Sequence, residues 1–389
     1  MAQFPTYDEV SRQLRRHRAS VHIPVPDVLN IPDELRLTYR GRMAPVGDRY
    51  HNERFLLQEE MGGKMLVFCA DSELSIMRNS DYLVCDGTFE MAPNSAYQLY
   101  TIHGFLRGEG MPLLWAILPN KTQATYTLLF QSVRRAMEAK FGDIGNISYM
   151  LTDFEQAAIN AITHVFPEIT VKGCTFHFRQ ALYRRITLLG LQGQYNDADS
   201  DVRVWLRQLM AMTLLPEFAV PYAWNCLRQP PVVADPVLAA KLQEFAAYFE
   251  QTWMNGSFPA SLWTHFDHEG PRTTNLAEGW HNAMNSDFGM PHPSMRTFLG
   301  WLQNAHYVIQ CRDVQLIAGR PPKTRKTAYV NLDKRIMDAK IKLSTQMSLI
   351  FVRSPLPDIW QPLLANELNA YLQYVAYLLV GVGTDEAKL

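Results

Sequence analysis

The order of strand and helix patterns between residues 81 and 189 constrains the fold of this chain more than any other feature. Three apolar segments of strand length come first, and the turn-like sequence Arg107-Gly108-Glu109-Gly110 joins the second to the third. Apolar residues recur at helical spacing over residues 122–141, and strand, helix, strand and helix patterns follow. Such a meander followed by βαβ units predicts an α/β fold, with a mixed sheet covered by helices.

The remaining segments divide by composition. Residues 1–80 form a lead-in whose proline-rich part, 21–60, predicts extended, loop-rich structure. After the first part of the core (81–189), we predict an all-helical insertion over residues 190–269. A helix in residues 270–304 then completes the core, and residues 305–389 form a helical C-terminal region.

Charge and cysteine content exclude several classes of protein. Lys and Arg number 37 against 38 Asp and Glu, so only local basic clusters could bind a polyanion. The five cysteines are odd in number and lack the spacing of a disulfide framework, which predicts a reducing compartment. No uninterrupted apolar run is long enough to span a bilayer, so we expect no membrane association.

Two aspartates lie on predicted strands. Asp86 is embedded in the apolar segment Leu83-Val84-Cys85-Asp86-Gly87, where a buried carboxylate is costly unless it is paired or binds a metal. Asp153 follows the fourth predicted strand, at the carboxyl end where α/β sheets bind ligands. The alternative for Asp153 is a cap of the following helix. Asp86 and Asp153 are therefore candidate metal ligands.

A third acid, Glu278, lies on a predicted helix that begins after Pro271. Asn275 and Asn282 share its face at three- and four-residue spacing, and His281 follows one turn later. A separate stripe of the same helix is apolar: Leu276, Trp280 and Met284. The polar face is either exposed to water or, as we favour, it holds the acid inside a cleft.

Two further groups have alternative interpretations. Cys174 and His177 are either half of a zinc site or, as we favour, a buried thiol beside a histidine near the active site. The sequence RPPKTRK, residues 320–326, is a nuclear import signal, a phosphate-binding loop or ordinary solvated surface.

Five segments in this order resemble Mutator-like element (MULE) transposases, especially those of animal genomes and the host proteins derived from them: VCDGTF, YQLYTIHG, LTDFEQAAINA, GCTFHFRQALYR and RTTNLAEGWHN. The resemblance runs from about residue 55 to 304. It implies a ribonuclease-H-like fold with Asp86 and Asp153 on neighbouring strands. Glu278 would be the third catalytic acid, on a helix after an all-helical insertion. Cys174 and His177 match the family's Cys-x-x-His motif, which implies that His177 lies near the acids.

The resemblance also implies a function. The chain would be a DDE transposase that cleaves DNA and transfers strands with two Mg²⁺ or Mn²⁺ ions, held by the three acids. Its partners would be transposon ends and target DNA, with a homodimer as an open alternative, and its location the nucleus. Two alternatives remain: a domesticated, non-catalytic DNA-binding or regulatory protein, and a nuclease without strand transfer. We expect no zinc.

The N-terminal region departs from the family pattern. No cysteine precedes Cys69, and the histidines there are only His17, His22 and His51, so this region cannot build a Cys-rich finger. We therefore expect the DNA-recognition module to be missing or supplied by another chain. Whether the chain is a fragment of a longer protein stays open.

Overall fold

A seven-stranded mixed sheet lies in the described part of the chain, which in this computed structural model comprises residues 31–268, 270–289, 291–353 and 360–380. The chain forms two compact units. The first contains Met1–Val171 and Thr274–Lys323, and the second contains Lys172–Thr273 and Thr324–Leu389. The predicted α/β class with a mixed sheet is confirmed.

The sheet has the strand order β1-β2-β5-β4-β3-β6-β7. The first five strands in this order, β1-β2-β5-β4-β3, are each antiparallel to their neighbours, whereas β3 and β6 are parallel. The strands are β1 (Leu56–Glu60), β2 (Met65–Phe68), β3 (Tyr82–Thr88), β4 (Gln98–Leu106), β5 (Glu109–Leu118), β6 (Tyr149–Thr152) and β7 (Thr170–Gly173).

The helices of the first unit cover this sheet. They are α1 (Asp33–Arg36), α2 (Tyr39–Met43), α3 (Asp71–Arg78), α4 (Gln123–Phe141), α5 (Gln156–Val165) and, after the second unit's helices in chain order, α12 (Asn275–Phe288) and α13 (Met295–Ile317). Helix α4 shows why the ends fall where they do. The Thr122 side chain accepts the Thr125 N–H at its start, and Gly142 ends it with a left-handed φ of 83°.

The β4–β5 hairpin turns more tightly than the sequence indicates. Only Arg107 and Gly108 form the turn, both with positive φ (53° and 81°), as a two-residue type I′ turn requires. Glu109 and Gly110 belong to β5, where they pair with Leu106 and Phe105. The tight turn fixes the register of β4, the strand that neighbours Asp86.

The prediction of a loop-rich lead-in over residues 21–60 holds for residues 44–55 and is wrong for much of the rest of its described part. This segment forms α1, α2 and strand β1, which pairs with β2 at the sheet edge. β1 has the sequence LLQEE, and only Leu56 is buried. Edge strands often carry charged side chains, and these remove the alternating apolar pattern by which a strand is recognised. Residues 1–30 lie outside the described residues.

The second unit is helical. Its helices are α6 (Thr175–Leu188), α7 (Gln192–Asn196), α8 (Asp201–Ala211), α9 (Val220–Leu227), α10 (Pro236–Phe249), α11 (Ala260–Trp263), α14 (Thr327–Arg353) and α15 (Trp360–Val380). Of residues 190–268, none is in a strand, as predicted for the insertion. Helix α8 packs on α15, and the Gln208 side chain donates to Asn369 Oδ1 at 2.6 Å. The insertion therefore shares a core with the C-terminal helices.

Aromatic side chains form the centre of this second core. Phe178 packs between Trp253 and Trp263, at ring-centroid distances of 4.4 and 5.3 Å, and Trp224 stacks on Phe249 at 5.2 Å. Across the described residues, no helix is both long and apolar enough to cross a membrane.

Candidate functional site

Asp86 and Asp153 lie at the same level of two neighbouring parallel strands. The last register pair of β3 and β6 is Val84 with Leu151. Continuing that register by two residues sets Asp86 level with Asp153. Neighbouring strands are about 4.8 Å apart, and positions two residues apart on a strand face the same side. The register therefore predicts that the two aspartates are neighbours at this end of the sheet.

Helix α12 covers this face of the sheet. Ala277 of α12 forms a small buried cluster with Val84, Leu151 and Tyr149. The helix also contacts strands β4 and β5. Asp86 and Asp153 follow Val84 and Leu151 of this cluster by two residues each, and α12 packs on the cluster.

Asp86 is 7% exposed, and its side chain contacts His281 of α12. His281 Nδ1 lies 3.3 Å from Asp86 Oδ2. On the other side of the imidazole, His281 Nε2 lies 3.3 Å from Thr101 Oγ1, and His103 Nε2 is 3.2 Å from the same oxygen. Thr101 pairs with Asp86 across β3 and β4, and its hydroxyl is 3.2 Å from the Asp86 carbonyl oxygen. Asp86 is thus held by a buried polar chain.

Groups beside the aspartates are kept uncharged. Burial raises the pKa of the Cys85 thiol far above its usual value, and the charges of Asp86 and Asp153 raise it further. That shared influence agrees with the strand register, because both carboxylates act on one thiol. Burial, and then the charge of His281, lower the pKa of His103 well below its usual value, so its imidazole is neutral.

Asp153 does not cap the following helix. Helix α5 begins at Gln156 with Glu155 in the capping position, and the Glu155 side chain makes no capping bond. Asp153 is partly buried, and its Oδ1 accepts the Glu155 N–H at 3.3 Å. Asp153 therefore does not occupy the capping position itself, although it accepts the N–H of the residue that does.

Glu155 adds a carboxylate that the sequence interpretation missed. The Tyr126 hydroxyl lies 3.1 Å from Glu155 Oε2 and 2.9 Å from Gln98 Oε1. Burial, and then the charge of Asp153, raise the pKa of Glu155. A carboxyl group that retains its proton more readily beside Asp153 adds less negative charge to this end of the sheet.

Glu278 is partly buried and lies one turn before His281 on α12. Residues three apart are neighbours on a helix, so Glu278 flanks His281 at the edge of the buried face, and its approach to Asp86 stays a prediction. The residues of α12 that are buried are Ala277, His281 and Met284. Asn275 and Asn282, which the sequence places beside Glu278, are exposed.

The matched family agrees with this geometry. Residues 82–181 match the sequence model of the MULE transposase domain. The chain carries a MULE transposase domain. The matched segment contains Asp86, Asp153, Cys174 and His177, and it ends before Glu278. The family resemblance is thereby confirmed for residues 82–181, which contain the first three of the five motifs and most of the fourth. Among the curated proteins compared with the chain, none matches.

The donor chemistry of the transposase domain suits a hard divalent cation. Carboxylate oxygens are the ligands that Mg²⁺ prefers, and the strand register makes two of them neighbours. Across the part of the chain that the structure describes, no three His, Cys, Asp or Glu side chains already converge as a metal site. The residues fit a magnesium site by type and by strand position, and the full ligand set stays a prediction.

Cys174 and His177 lie in the second compact unit. Cys174 is a buried cysteine in the capping position of α6, and His177 is partly buried in the first turn, its ring 5.5 Å from that of Phe176. No metal-holding group of three in the described chain includes them. The placement of His177 near the catalytic acids stays a prediction.

The basic sequence at 320–326 begins as an anchored loop of the first unit. Arg312 forms an ion pair with Glu109 and donates to the Pro321 carbonyl at 3.1 Å. The Lys323 N–H donates to Glu109 Oε2 at 3.0 Å. The Lys323 residue itself is exposed, as is Arg107 on the neighbouring hairpin turn. The anchors therefore order the backbone and leave these cations at the surface.

Proposed function

We propose that this chain is a DDE transposase that cleaves DNA phosphodiesters and transfers strands, with Asp86, Asp153 and Glu278 as its catalytic acids on a ribonuclease-H-like core. One observation carries the proposal: within the matched domain, the register of β3 and β6 sets Asp86 level with Asp153 under α12. Glu278 belongs to that same helix, one turn from the residue that contacts Asp86.

The three carboxylates would hold Mg²⁺ or Mn²⁺, as a pair of ions. Bound there, the metal supplies stabilisation of the attacking and leaving oxygens and activation of the nucleophile. Asp86 and Asp153 present their oxygens from rigid strands, which limits the movement needed to bind. Cys85 and Tyr100 are buried nearby, and burial raises the pKa of each, so neither adds a charge to the site. Their low-polarity surroundings strengthen the electrostatic interactions of the carboxylates.

The DNA partners would be transposon ends and target DNA, which places the protein in the nucleus. The exposed cations of the first unit give this a physical basis. Arg107 and Lys323 lie on neighbouring loops. Their adjacent residues show this, since a Cβ added at Gly108 would be 3.7 Å from the Pro322 side chain. From Thr101, level with Asp86, β4 rises about 20 Å to Arg107. Phosphates a few nucleotides from the cleaved bond would reach these cations.

The test is a cleavage assay with purified protein and labelled terminal-repeat DNA, plus a supercoiled target plasmid. We expect strand cleavage with Mg²⁺ or Mn²⁺ and none with a chelator. Labelled ends joined to the plasmid would show a transposase, whereas cleavage alone would show a nuclease without strand transfer. DNA binding without cleavage, by folded protein with either metal, would contradict the proposal and favour the non-catalytic regulator. A homodimer would appear as a doubled mass in sedimentation with DNA.

A further inference from the structure

We infer that His281 is a positioning residue for Asp86, and that Thr101 and His103 hold its imidazole in the orientation that does so. The inference rests on the proposed function in one respect, since it assigns the purpose of the contact to metal binding. The arrangement itself is independent of that function. It is buried: His281 is 7% exposed, and Thr101 and His103 are fully buried.

The surroundings of His103 determine which of its ring nitrogens carries the proton. Its pKa is lowered by burial, so it carries a single ring proton. Its Nδ1 is buried without a hydrogen-bond partner among the described residues, whereas its Nε2 lies 3.2 Å from Thr101 Oγ1. An unpaired buried N–H costs more than an unpaired acceptor, because the N–H loses its only bond. The proton therefore sits on Nε2 and is donated to Thr101.

The Thr101 hydroxyl has one proton and two further neighbours. It donates either to the Asp86 carbonyl oxygen or to His281 Nε2. If it donates to the imidazole, His281 Nε2 is an acceptor and the proton of the neutral ring sits on Nδ1. If it donates to the carbonyl, Nε2 must itself donate to Thr101, and a neutral ring would then turn the lone pair of Nδ1 toward the Asp86 carboxylate. The lone pair and the carboxylate would repel each other, so the first arrangement is favoured.

The favoured arrangement places the proton on Nδ1, which lies 3.3 Å from Asp86 Oδ2. His281 then fixes one carboxylate oxygen and leaves the other to a metal ion, in the manner of the hydrogen-bonded ligands that surround metal sites. Because His281 follows Glu278 by one turn on α12, the same contact also sets the position of Glu278 along β3. Loss of the contact would therefore loosen two of the three acids.

The first test needs neither metal nor DNA. Long-range ¹H–¹⁵N spectra of histidine-labelled protein report which ring nitrogen carries a proton, and the signals of His281 and His103 are assigned by their loss in single variants. We expect a protonated Nδ1 on His281 and a protonated Nε2 on His103. An Nε2-only proton on His281, or a His281 spectrum unchanged by Asp86→Ala, would overturn the inference.

The second test measures Mn²⁺ affinity by electron paramagnetic resonance, with melting temperatures recorded for each variant. His281→Ala should weaken Mn²⁺ binding by about 10–100-fold, the usual effect of losing a residue that orients a metal ligand. His281→Asn should recover most of that loss, because its amide N–H₂ takes the place of Nδ1, whereas His281→Gln should not. Equal losses in the Asn and Ala variants, or full affinity in His281→Ala, would contradict the positioning role.

The two tests separate this inference from the proposed function. Failure of the wild-type protein to bind Mn²⁺ or to cleave DNA, with the expected protons on His281 and His103, would refute the metal site and leave the hydrogen-bonded chain intact. Mn²⁺ binding that is unchanged by substitution of His281 would refute the positioning role and leave the metal site intact.

Discussion

At the scale of single residues, Asp86 is a buried carboxylate that forms no salt bridge to Lys or Arg within the described part of the chain. Its carboxylate contacts an imidazole, its carbonyl lies beside a hydroxyl, and Asp153 is its neighbour on the next strand. Such a site gains from a cation, because two neighbouring carboxylates repel each other. The burial of Asp86 therefore favours a bound metal over a purely structural role.

Conservative changes of the three acids test this directly. Asp86→Asn, Asp153→Asn and Glu278→Gln each keep the side-chain volume and remove a charge that the metal needs. A bound metal contributes several kcal/mol of transition-state stabilisation, so the cleavage rate should fall at least about 100-fold in each variant. Melting temperatures in the absence of metal should stay the same or rise, because repulsion between carboxylates is relieved.

Exposed carboxylates provide the matched controls for these variants. Asp48→Asn and Glu138→Gln make the same chemical changes at exposed positions and should leave cleavage at the wild-type rate. Wild-type cleavage in any one of the three acid variants would remove that residue from the site.

The sequence identified the acids but not their partners. Asp86 is conspicuous as a charged residue inside an apolar strand, and His281 follows Glu278 by one turn. Thr101 and His103 gave only a weak signal, two polar residues at alternate positions of β4. Their role depends on the pairing of β4 with β3 and on the packing of α12, and no local pattern encodes either.

At the scale of secondary-structure elements, the turn before β6 determines whether Asp153 lies beside Asp86. The Asn146 N–H donates to the Arg78 carbonyl at 3.0 Å, and the Ser148 N–H donates to the Asp81 carbonyl at 2.8 Å. These bonds tie the start of β6 to the residues that lead into β3. They follow directly after Gly145, whose φ is 78°.

Two glycines of this region offer a matched pair of substitutions. An added Cβ at Gly145 would lie 2.1 Å from the Arg78 carbonyl oxygen, whereas at Gly142, with a similar φ of 83°, it would meet nothing within 4 Å. Gly142→Ala should therefore cost only the left-handed strain, about 1–2 kcal/mol of unfolding free energy. Gly145→Ala should lower the unfolding free energy by about 1–3 kcal/mol more, because the backbone at Arg78 must move.

Denaturant unfolding measures both costs, and cleavage reports the consequence for the site. Gly145→Ala should also lower the cleavage rate, whereas Gly142→Ala should not. Equal stability losses in the two variants would show that the turn tolerates displacement and does not fix the position of β6.

Most strands and helices of the sheet unit follow from apolar periodicity, because long buried elements carry the clearest pattern. The exceptions have physical causes. β1 has four partly exposed residues out of five and so lacks alternation. The four-residue joint predicted at Arg107 is a two-residue turn, since cross-strand pairing extends β5 back to Glu109.

At the scale of the whole molecule, the second unit should lose stability in mild acid. His265 Nε2 donates to the Gly173 carbonyl at 2.8 Å, and burial lowers the pKa of His265 to about 3. The folded state therefore binds its proton less readily than the unfolded state, whose histidine pKa is about 6.5. The stabilisation is complete above that pH and is lost as the pH falls below it, by up to about 1.4 kcal/mol per pH unit.

A variant isolates the contribution of this histidine. His265→Gln retains an N–H that can donate to Gly173 and cannot titrate. Its unfolding free energy should change less than that of wild type between pH 6.5 and pH 5, the range above the titration of most carboxylates. Parallel pH profiles for the two proteins would contradict the assignment.

The central claim is that Asp86, Asp153 and Glu278 converge on bound metal, although Glu278 lies outside the matched domain. Anomalous diffraction from crystals grown with Mn²⁺ and terminal-repeat DNA tests it most directly. We expect Mn²⁺ peaks within coordination distance of carboxylate oxygens of all three residues. A peak that Asp86 and Asp153 bind without Glu278, or no peak at β3 and β6, would contradict it.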